Sequence, residues 1–274
     1  MFKSFYGLTF NPFNKEIATK YSYNFYDFSE ATARLKYLSE IKGFGLFTGE
    51  SGMGKTFTIR NFLNSLNPNL FKTVYINIST LTVMDFYRAI CLGLGIDPQC
   101  KKVQMFYQIQ ETIKTLVDNK NLTPIIVLDE AQYLSPSILN DLKLLFNFNI
   151  DSKNYAAIIL TGNSVLNTIL QRQTHDALRQ RITINYSFLG ITPDEVKKYI
   201  PNMLQTAGAA TNIFTEDAIE LFCNNCSGSI RKLNAFIEKS LIIGYQKKAR
   251  GSVGEYQADE QAGVARLSWR VSGR

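Results

Sequence analysis

The chain has 274 residues, of which 45% are hydrophobic and 12% aromatic, and this composition excludes a disordered protein. No apolar run reaches the ~18 residues of a membrane span, and the start lacks the features of a signal peptide, so we expect a cytoplasmic protein without membrane contact. The net charge of +7 suits a nucleic-acid partner, although a mildly basic protein without such a partner would carry it too.

The opening segment, to about residue 40, is rich in Phe and Tyr. Asn11-Pro12-Phe13 predicts a turn, and Ser29 is a predicted N-cap for a helix that runs through Ile41. Short apolar runs then alternate with helical stretches, and Thr82 and Ser135 are predicted to begin two of these helices. The runs predicted to be strands are 45–48, 73–78, 124–128, 156–161 and 182–186. This alternation predicts an α/β fold with a parallel sheet.

After Tyr186 no further strand is predicted. Thr192, Thr215 and Ser229 are predicted to begin three helices of a small second domain. Cys223 and Cys226 on the second of these helices have C-x-x-C spacing, but without another Cys pair or a His nearby we expect packing, not zinc. The single histidine, in a polar stretch, is expected at the surface.

The segment after the first predicted strand fits the pattern G-x-x-x-x-G-K-[S/T] and precedes a predicted helix at 57–66. Glycines permit a turn whose N–H groups face phosphate oxygens, and the helix N-terminus adds positive potential. Lys55 is expected to bridge the β- and γ-phosphates of ATP, and the Thr56 hydroxyl to bind Mg²⁺. The predicted nucleotide-binding residues are Gly49, Glu50, Ser51, Gly52, Met53, Gly54, Lys55 and Thr56.

Two carboxylates follow the apolar run that ends at Leu128. Asp129 is expected to hold Mg²⁺ through water, and Glu130, which strand alternation turns elsewhere, is expected to polarise the attacking water. Carboxylates at the end of a buried strand are costly unless a cation lies there. Together with the glycine loop, this pair predicts ATP hydrolysis.

Two asparagines also lie at predicted strand ends. Ligands of a parallel sheet bind at the carboxyl ends of its strands, so Asn163 is expected to orient water near the γ-phosphate. An Asn after Gly162 also occurs in turns that have no such function. Asn77 ends the second predicted strand, where a hydrogen bond to Glu130 is within reach.

Three arginines are placed to meet the γ-phosphate. Arg179 and Arg181 precede the fifth strand, and one of them, with Arg181 preferred, is expected to act on a neighbouring subunit as an arginine finger. Arginines that flank a strand are often only solvated. Arg231 begins a helix of the second domain and is expected to reach the nucleotide from that side.

These features together resemble the AAA+ ATPases over about residues 1–248. Within them the chain is similar to the ExeA-type group, which includes bacterial secretion ATPases and transposon-encoded ATPases like TnsC, IstB and MuB. The segments that carry the resemblance are 5–13 (FYGLTFNPF), 129–134 (DEAQYL), 178–182 (LRQRI) and 228–234 (GSIRKLN).

The resemblance implies a P-loop core whose five-stranded parallel sheet has the order 5-1-4-3-2, followed by a helical lid. It implies ATP and Mg²⁺ as cofactors, ATP-dependent oligomerisation, and hydrolysis at subunit interfaces. Asn163 would be the first sensor, Arg231 the second, and Asn77 the partner that restrains Glu130. The expected domains are an N-terminal segment (1–40) packed on the nucleotide site, the ATPase core (41–187), the lid (188–248) and a flexible tail (249–274).

The leading functional hypothesis is a regulator of transposition. ATP would assemble subunits into a ring or filament on double-stranded DNA that a transposase or integrase recognises, and hydrolysis would disassemble it. Basic charge, small size and the lack of membrane or cell-wall modules favour this. The alternatives are a secretion-assembly ATPase and a replication-initiation or helicase-loading ATPase. Candidate DNA contacts, all on helix faces where lysines are usually only solvated, are Lys101, Lys102, Lys120 and Lys143.

Overall fold

The computed structural model divides the chain into an α/β unit and a helical unit. The helical unit draws on both ends of the chain and also takes in the middle of the glycine loop. The structure describes residues 2–14, 21, 23–78, 81–148, 153–209, 213–247, 256–257 and 266–267. The α/β unit comprises Phe28–Ser51 and Lys55–Phe188, and the helical unit comprises Met1–Asp27, Gly52–Gly54 and Leu189–Arg274.

Five parallel strands form the sheet of the α/β unit, in the order β2-β3-β4-β1-β5. This is the predicted order 5-1-4-3-2 viewed from the other edge, so the predicted fold class is confirmed. The central strands are buried almost throughout, whereas the two edge strands alternate between buried and exposed residues. The strands are β1 (Gly43–Thr48), β2 (Phe71–Asn77), β3 (Thr123–Asp129), β4 (Ala157–Gly162) and β5 (Ile182–Ser187).

Helices connect the strands and bury their apolar sides against the sheet. Ile126 and Leu128 of β3 and Ile158 and Leu160 of β4 belong to one buried cluster that also contains apolar residues from five helices. The strands therefore end at a common edge on a rigid core, which fixes the side chains that follow them. The helices of this unit are α2 (Tyr26–Ile41), α3 (Lys55–Ser65), α4 (Val83–Leu94), α5 (Lys102–Asp118), α6 (Pro136–Leu145), α7 (Val165–Leu170) and α8 (Asp176–Arg179).

The predicted caps at most helix starts are confirmed. Each capping side chain accepts a hydrogen bond from the backbone N–H three residues later, which satisfies a donor that the first helical turn leaves unpaired. The residues that cap in this way are Thr82, Ser135, Thr192, Thr215 and Ser229.

The start of α2 differs from its prediction. This helix begins at Tyr26, three residues before the predicted cap at Ser29. The Tyr26 N–H donates to Glu195 Oε1, 2.8 Å away, and Asp27 places a carboxylate in the first turn. Since Glu195 lies 169 residues further along the chain, no local pattern reveals this cap.

The helical unit contains α1 (Phe2–Tyr6), α9 (Pro193–Thr206), α10 (Glu216–Cys226) and α11 (Ile230–Gln246). Leu8 and Phe13 of the opening segment are buried in its core beside Tyr199 of α9. Thr9 donates from both its backbone N–H and its hydroxyl to the carbonyl of Ala207, each at 2.8 Å. The structure thus divides the predicted segment 1–40 after Asp27, because its first part supplies core residues to the helices.

The C-terminal stretch contains two short strands, which no pattern in the sequence predicted. Tyr256–Gln257 (β6) pairs antiparallel with Arg266–Leu267 (β7). The remainder of the predicted flexible tail lies outside the described residues. Among the residues that the structure describes, no helix is both long and apolar enough to cross a membrane.

Candidate functional site

The glycine loop joins β1 to α3, as predicted. Gly52 and Gly54 have φ values of 88° and 95°, a left-handed backbone that favours glycine. Lys55, at the start of α3, is buried, and its Nζ donates to the carbonyls of Gly49 at 2.6 Å and Glu50 at 2.9 Å. The ammonium group therefore lies within the concave side of the loop, where a P-loop lysine meets phosphate oxygens.

Asp129 ends β3 and is buried beside the N-terminus of α3. Its Oδ2 accepts a hydrogen bond from Thr56 Oγ1 at 3.1 Å and another from the hydroxyl of Tyr75 on β2, while Oδ1 accepts from the Glu130 N–H. Burial, followed by the hydrogen bond to Asp129, raises the pKa of Tyr75, so the phenol stays protonated and donates. The carboxylate is thus fixed from two neighbouring strands and a helix.

Glu130 lies just beyond β3 and not within it. Its φ of 58° is left-handed, which is uncommon for a residue other than glycine. Gln132 Nε2 donates to Glu130 Oε2 at 2.7 Å. In this structure the hydrogen bond to Glu130 comes from Gln132, whereas Asn77 ends β2 opposite Asp129, so the restraint of Glu130 by Asn77 stays a prediction.

Asn163 follows β4, at the same edge of the sheet, as predicted. Its Oδ1 accepts from the Val165 N–H at 3.1 Å, and its own N–H donates to Gln132 Oε1 at 3.3 Å. The next residue, Ser164, donates from Oγ to Glu50 Oε1 of the glycine loop at 2.6 Å. The turn after β4 is thereby connected to the loop and to Gln132.

The Arg181 guanidinium forms hydrogen bonds within its own chain. Its Nη1 donates to the carbonyl of Lys143 at 2.5 Å and its Nη2 to that of Phe146 at 3.0 Å. These carbonyls end α6 and have no partner within that helix. In this structure the Arg181 guanidinium therefore stabilises the end of α6, and its predicted role as the arginine finger stays a prediction.

Arg179 is the exposed member of the arginine pair. It forms an ion pair with Asp176 at 2.8 Å, and both side chains are about half exposed (50% and 41%). An exposed pair of this kind contributes at most about 1 kcal/mol, so it yields readily to a stronger partner.

Within the helical unit, Arg231 begins α11 next to Gly52 of the glycine loop. The Arg231 N–H donates to the Gly52 carbonyl at 3.3 Å. A Cβ atom added at Gly52 would lie 2.3 Å from Ser229 Oγ, so only glycine permits this approach. The prediction that Arg231 reaches the nucleotide stays a prediction.

One of the candidate DNA-contacting lysines is engaged within the chain: Lys102 forms an ion pair with Asp141 at 2.6 Å. The Lys143 side chain is half-buried. Lys101 and Lys120 are exposed.

The single histidine is not at the surface. His175 is 2% exposed, and burial, followed by the charges of Arg172 and Lys143, lowers its pKa. Cys226 is buried on α10 and Cys223 half-buried, and burial raises the pKa of Cys223. Among the described residues, no group of three or more acidic, Cys or His residues could hold a metal.

The oxygen ligands at this site fit Mg²⁺ bound together with a nucleoside triphosphate. Mg²⁺ binds few protein oxygens and completes its shell with water and phosphate, and the Thr56 hydroxyl with the Asp129 carboxylate supplies such oxygens. The cation would neutralise phosphate charge, and the loop N–H groups and Lys55 would bind the phosphates themselves.

Three contributors to the site were missed by sequence reasoning: Tyr75, Gln132 and Ser164. Gln132 lies two residues after Glu130 in the same motif, and Tyr75 shares a strand face with Asn77, two residues along. Neither signal identifies a partner, because both hydrogen bonds depend on how the strands and loops pack.

Comparison with known proteins identifies a domain within the chain. A model described as "AAA domain" matches residues 39–170. General secretion pathway protein A of Aeromonas hydrophila is 34% identical over 277 residues, covering 100% of this chain and 49% of that protein. The chain therefore spans about half the length of the curated relative that it matches.

Solved structures share the fold. Cdc6p from Pyrobaculum aerophilum superposes with a TM-score of 0.65 at 17% identity, over 87% of this chain and 66% of that one. The ORC2 protein of Aeropyrum pernix, solved in ADPNP–ADP complexes, gives 0.64 at 15% identity over 86% and 67%. The ORC1 protein of the same organism, solved in complex with DNA, gives 0.55 at 17% over 78% and 60%.

At such identities the structural likeness shows the fold alone. The family model supplies the rest, because its range includes the glycine loop, Asp129, Glu130 and Asn163, the residues that the structure gathers at one edge of the sheet. Residues 39–170 therefore form an AAA domain, and the chain is a P-loop ATPase with the AAA+ fold.

Proposed function

We propose that this ATPase is an assembly switch of the secretion type. ATP holds copies of the chain together, and hydrolysis releases them, so that the ATPase cycle drives assembly of a secretion apparatus. The observation that carries this proposal is the match to General secretion pathway protein A, which extends over all of this chain.

The hydrolytic roles follow from the chemistry of the gathered side chains. Glu130 polarises the attacking water, Asn163 orients it, and Lys55 binds the phosphates. Thr56 and Asp129 hold Mg²⁺. Arg231, whose N–H donates to the Gly52 carbonyl of the glycine loop, contacts the γ-phosphate as the second sensor.

Arg179 is the arginine finger in this proposal. Its guanidinium is half exposed and forms an ion pair with Asp176 on its own helix. Arg181, in contrast, donates hydrogen bonds to carbonyls at the end of α6. Arg179 would therefore complete the site of a neighbouring copy by stabilising charge that develops on the γ-phosphate.

Regulation of transposition, the leading hypothesis from sequence, receives no support from the proteins compared above. A DNA-bound switch stays as the second candidate, because the net charge is +7 and ORC1 of Aeropyrum pernix, a structural neighbour, is solved with DNA. In this candidate the exposed Lys101 and Lys120 would contact phosphates.

Nucleotide-dependent assembly tests the switch. Glu130→Gln keeps the shape of the side chain and removes its basicity, so this variant should bind ATP, accumulate as oligomers in light scattering, and turn over about 10²–10⁴-fold more slowly. Lys55→Ala, the control, should neither bind tightly nor assemble. A Glu130→Gln variant that hydrolyses ATP normally would remove Glu130 from the mechanism.

A chimera tests the secretion role. This chain would replace the matching half of General secretion pathway protein A in Aeromonas hydrophila cells that lack it, and secretion should return only when Lys55 is intact. In parallel, duplex DNA is titrated at two salt concentrations with ATP and with ADP. The DNA-bound switch would be favoured if DNA affinity requires ATP and falls steeply with salt concentration, and if the chimera fails to restore secretion.

A further inference from the structure

Gln132 connects the two strand ends of the catalytic edge. Its Nε2 donates to Glu130 Oε2 at 2.7 Å, and its Oε1 accepts from the Asn163 N–H at 3.3 Å. Each end of the amide faces the group that its chemistry requires, a donor toward the carboxylate and an acceptor toward the N–H. One side chain therefore satisfies the residues that follow β3 and β4.

The backbone around Gln132 is shaped for this contact. A Cβ atom added at Gly162 would lie 2.4 Å from Gln132 Oε1 and 3.5 Å from the Gln132 N. Gly162 ends β4, so the absence of a side chain there is what lets the amide reach the Asn163 N–H. On the other side, Glu130 adopts the left-handed φ of 58°, after which a short 3-10 turn, Ala131–Tyr133, begins.

We propose that Gln132 is a positioning residue for ATP hydrolysis, which holds the Glu130 carboxylate beside the turn after β4. The ligand of a parallel sheet binds at the carboxyl ends of its strands, and Asn163 lies at one of them. Glu130 is only half-buried and has a flexible side chain, so without Gln132 its carboxylate would spread over several rotamers. The amide thus fixes the general base relative to Asn163 and leaves phosphate binding to other groups.

A first experiment separates positioning from binding. Gln132→Met keeps the length of the side chain and removes both hydrogen bonds, so kcat should fall about 10- to 100-fold, the usual cost of a misplaced catalytic group. The Kd for a fluorescent ATP analogue and the melting temperature should stay close to those of the wild type. An unchanged or increased kcat would overturn the proposal, since an increase would mean that Gln132 restrains Glu130.

A double-mutant cycle then identifies the residue through which Gln132 acts. When Glu130 is already Gln, the Gln132→Met change should cost almost nothing more in kcat, because the carboxylate that it positions is gone. Losses that multiply would show an independent role and contradict the proposal.

Gln132→Glu is the second variant, and it keeps an acceptor for the Asn163 N–H while placing a like charge against Glu130. Its kcat should fall at least as far as that of Gln132→Met. These outcomes are measured as ATP hydrolysis, so they do not change if the secretion role proves wrong.

Discussion

Tyr75 places a phenol hydroxyl on the carboxylate that would hold Mg²⁺. The hydroxyl and Thr56 Oγ1 both donate to Asp129 Oδ2, so the orientation of this oxygen depends on two donors. Groups that orient metal-binding carboxylates are worth about 10- to 100-fold in metal affinity.

Tyr75→Phe should therefore raise the Mg²⁺ concentration needed for half-maximal ATPase activity by about 10-fold, with kcat at saturating Mg²⁺ changed less. A Mg²⁺ titration at fixed ATP measures this. Tyr37→Phe, at a tyrosine that is 57% exposed on α2, is the matched control. Equal Mg²⁺ requirements in the wild type and Tyr75→Phe would show that Thr56 and the backbone suffice.

His175 makes folding sensitive to mild acid. Burial lowers its pKa, while in the unfolded chain the imidazole takes up a proton below about pH 6.5. The unfolded state then binds more protons than the folded state, so the free energy of unfolding decreases as pH falls below 6.5. His175→Gln should lose this part of the pH dependence.

Melting temperatures of the wild type and His175→Gln between pH 5 and 7.5 measure the difference. Carboxylates titrate alike in both proteins, so only the difference between the two curves reports on His175. A constant difference across this range would mean that the imidazole is neutral or charged equally in both states.

At the residue scale the sequence predicted the side chains whose roles depend on local spacing. Lys55, Thr56, Asp129 and Asn163 lie where their motifs place them, because each lies at the start or the end of a strand or helix. The hydrogen bond from Gln132 to Glu130 and those from Arg181 to the end of α6 were not predicted, since both depend on residues brought together by packing.

The C-terminus of α6 is a junction between elements. Gln110 of α5 donates hydrogen bonds to the carbonyls of Leu145 at 3.1 Å and Asn147 at 3.3 Å. Arg181 donates to the carbonyls of Lys143 and Phe146. Two side chains from distant parts of the chain thus satisfy the carbonyls that a helix end leaves without partners. The short helix that carries Arg179 is held in place by this junction.

Arg181→Met should lower the free energy of unfolding by about 1.5–3 kcal/mol for each charged hydrogen bond lost without replacement, and Arg179→Met by less than about 1 kcal/mol. Urea unfolding measures both. ATPase activity at high protein concentration should show the reverse contrast at a temperature where both variants are folded, with Arg179→Met the more impaired. A larger loss of stability in Arg179→Met would contradict the assignment.

Element boundaries were predictable where the signal is local. The caps of Thr82, Ser135 and Ser229 act three residues away, within reach of a sequence pattern. The start of α2 depends on Glu195, and the β6–β7 pair has no apolar alternation to indicate it. The division of the opening segment after Asp27 likewise follows from core residues that the helices supply.

At the scale of the whole molecule, the sheet order and ATPase class were predictable because strand alternation and the two phosphate-site motifs constrain each other. The biological role was not. A net charge of +7 is a property of the whole surface and does not identify a partner, and the resemblance covered secretion and transposition ATPases alike. The match with General secretion pathway protein A favours the first of these.

The central claim is that one copy supplies Glu130 and its neighbour supplies Arg179 to the same ATP. Head-to-tail contacts between copies give each site a finger from the next copy. Glu130→Gln and Arg179→Ala should each be almost inactive alone, because one lacks the base and the other the finger.

Mixing the two inactive variants tests this claim most directly. A site with Glu130 from an Arg179→Ala copy meets an intact Arg179 from a Glu130→Gln copy at about a quarter of the interfaces in an equal mixture. ATPase activity should therefore return on mixing, to about a quarter of the wild-type rate. A mixture as inactive as its components would contradict a shared site, whereas an Arg179→Ala protein that is fully active alone would remove Arg179 from the reaction.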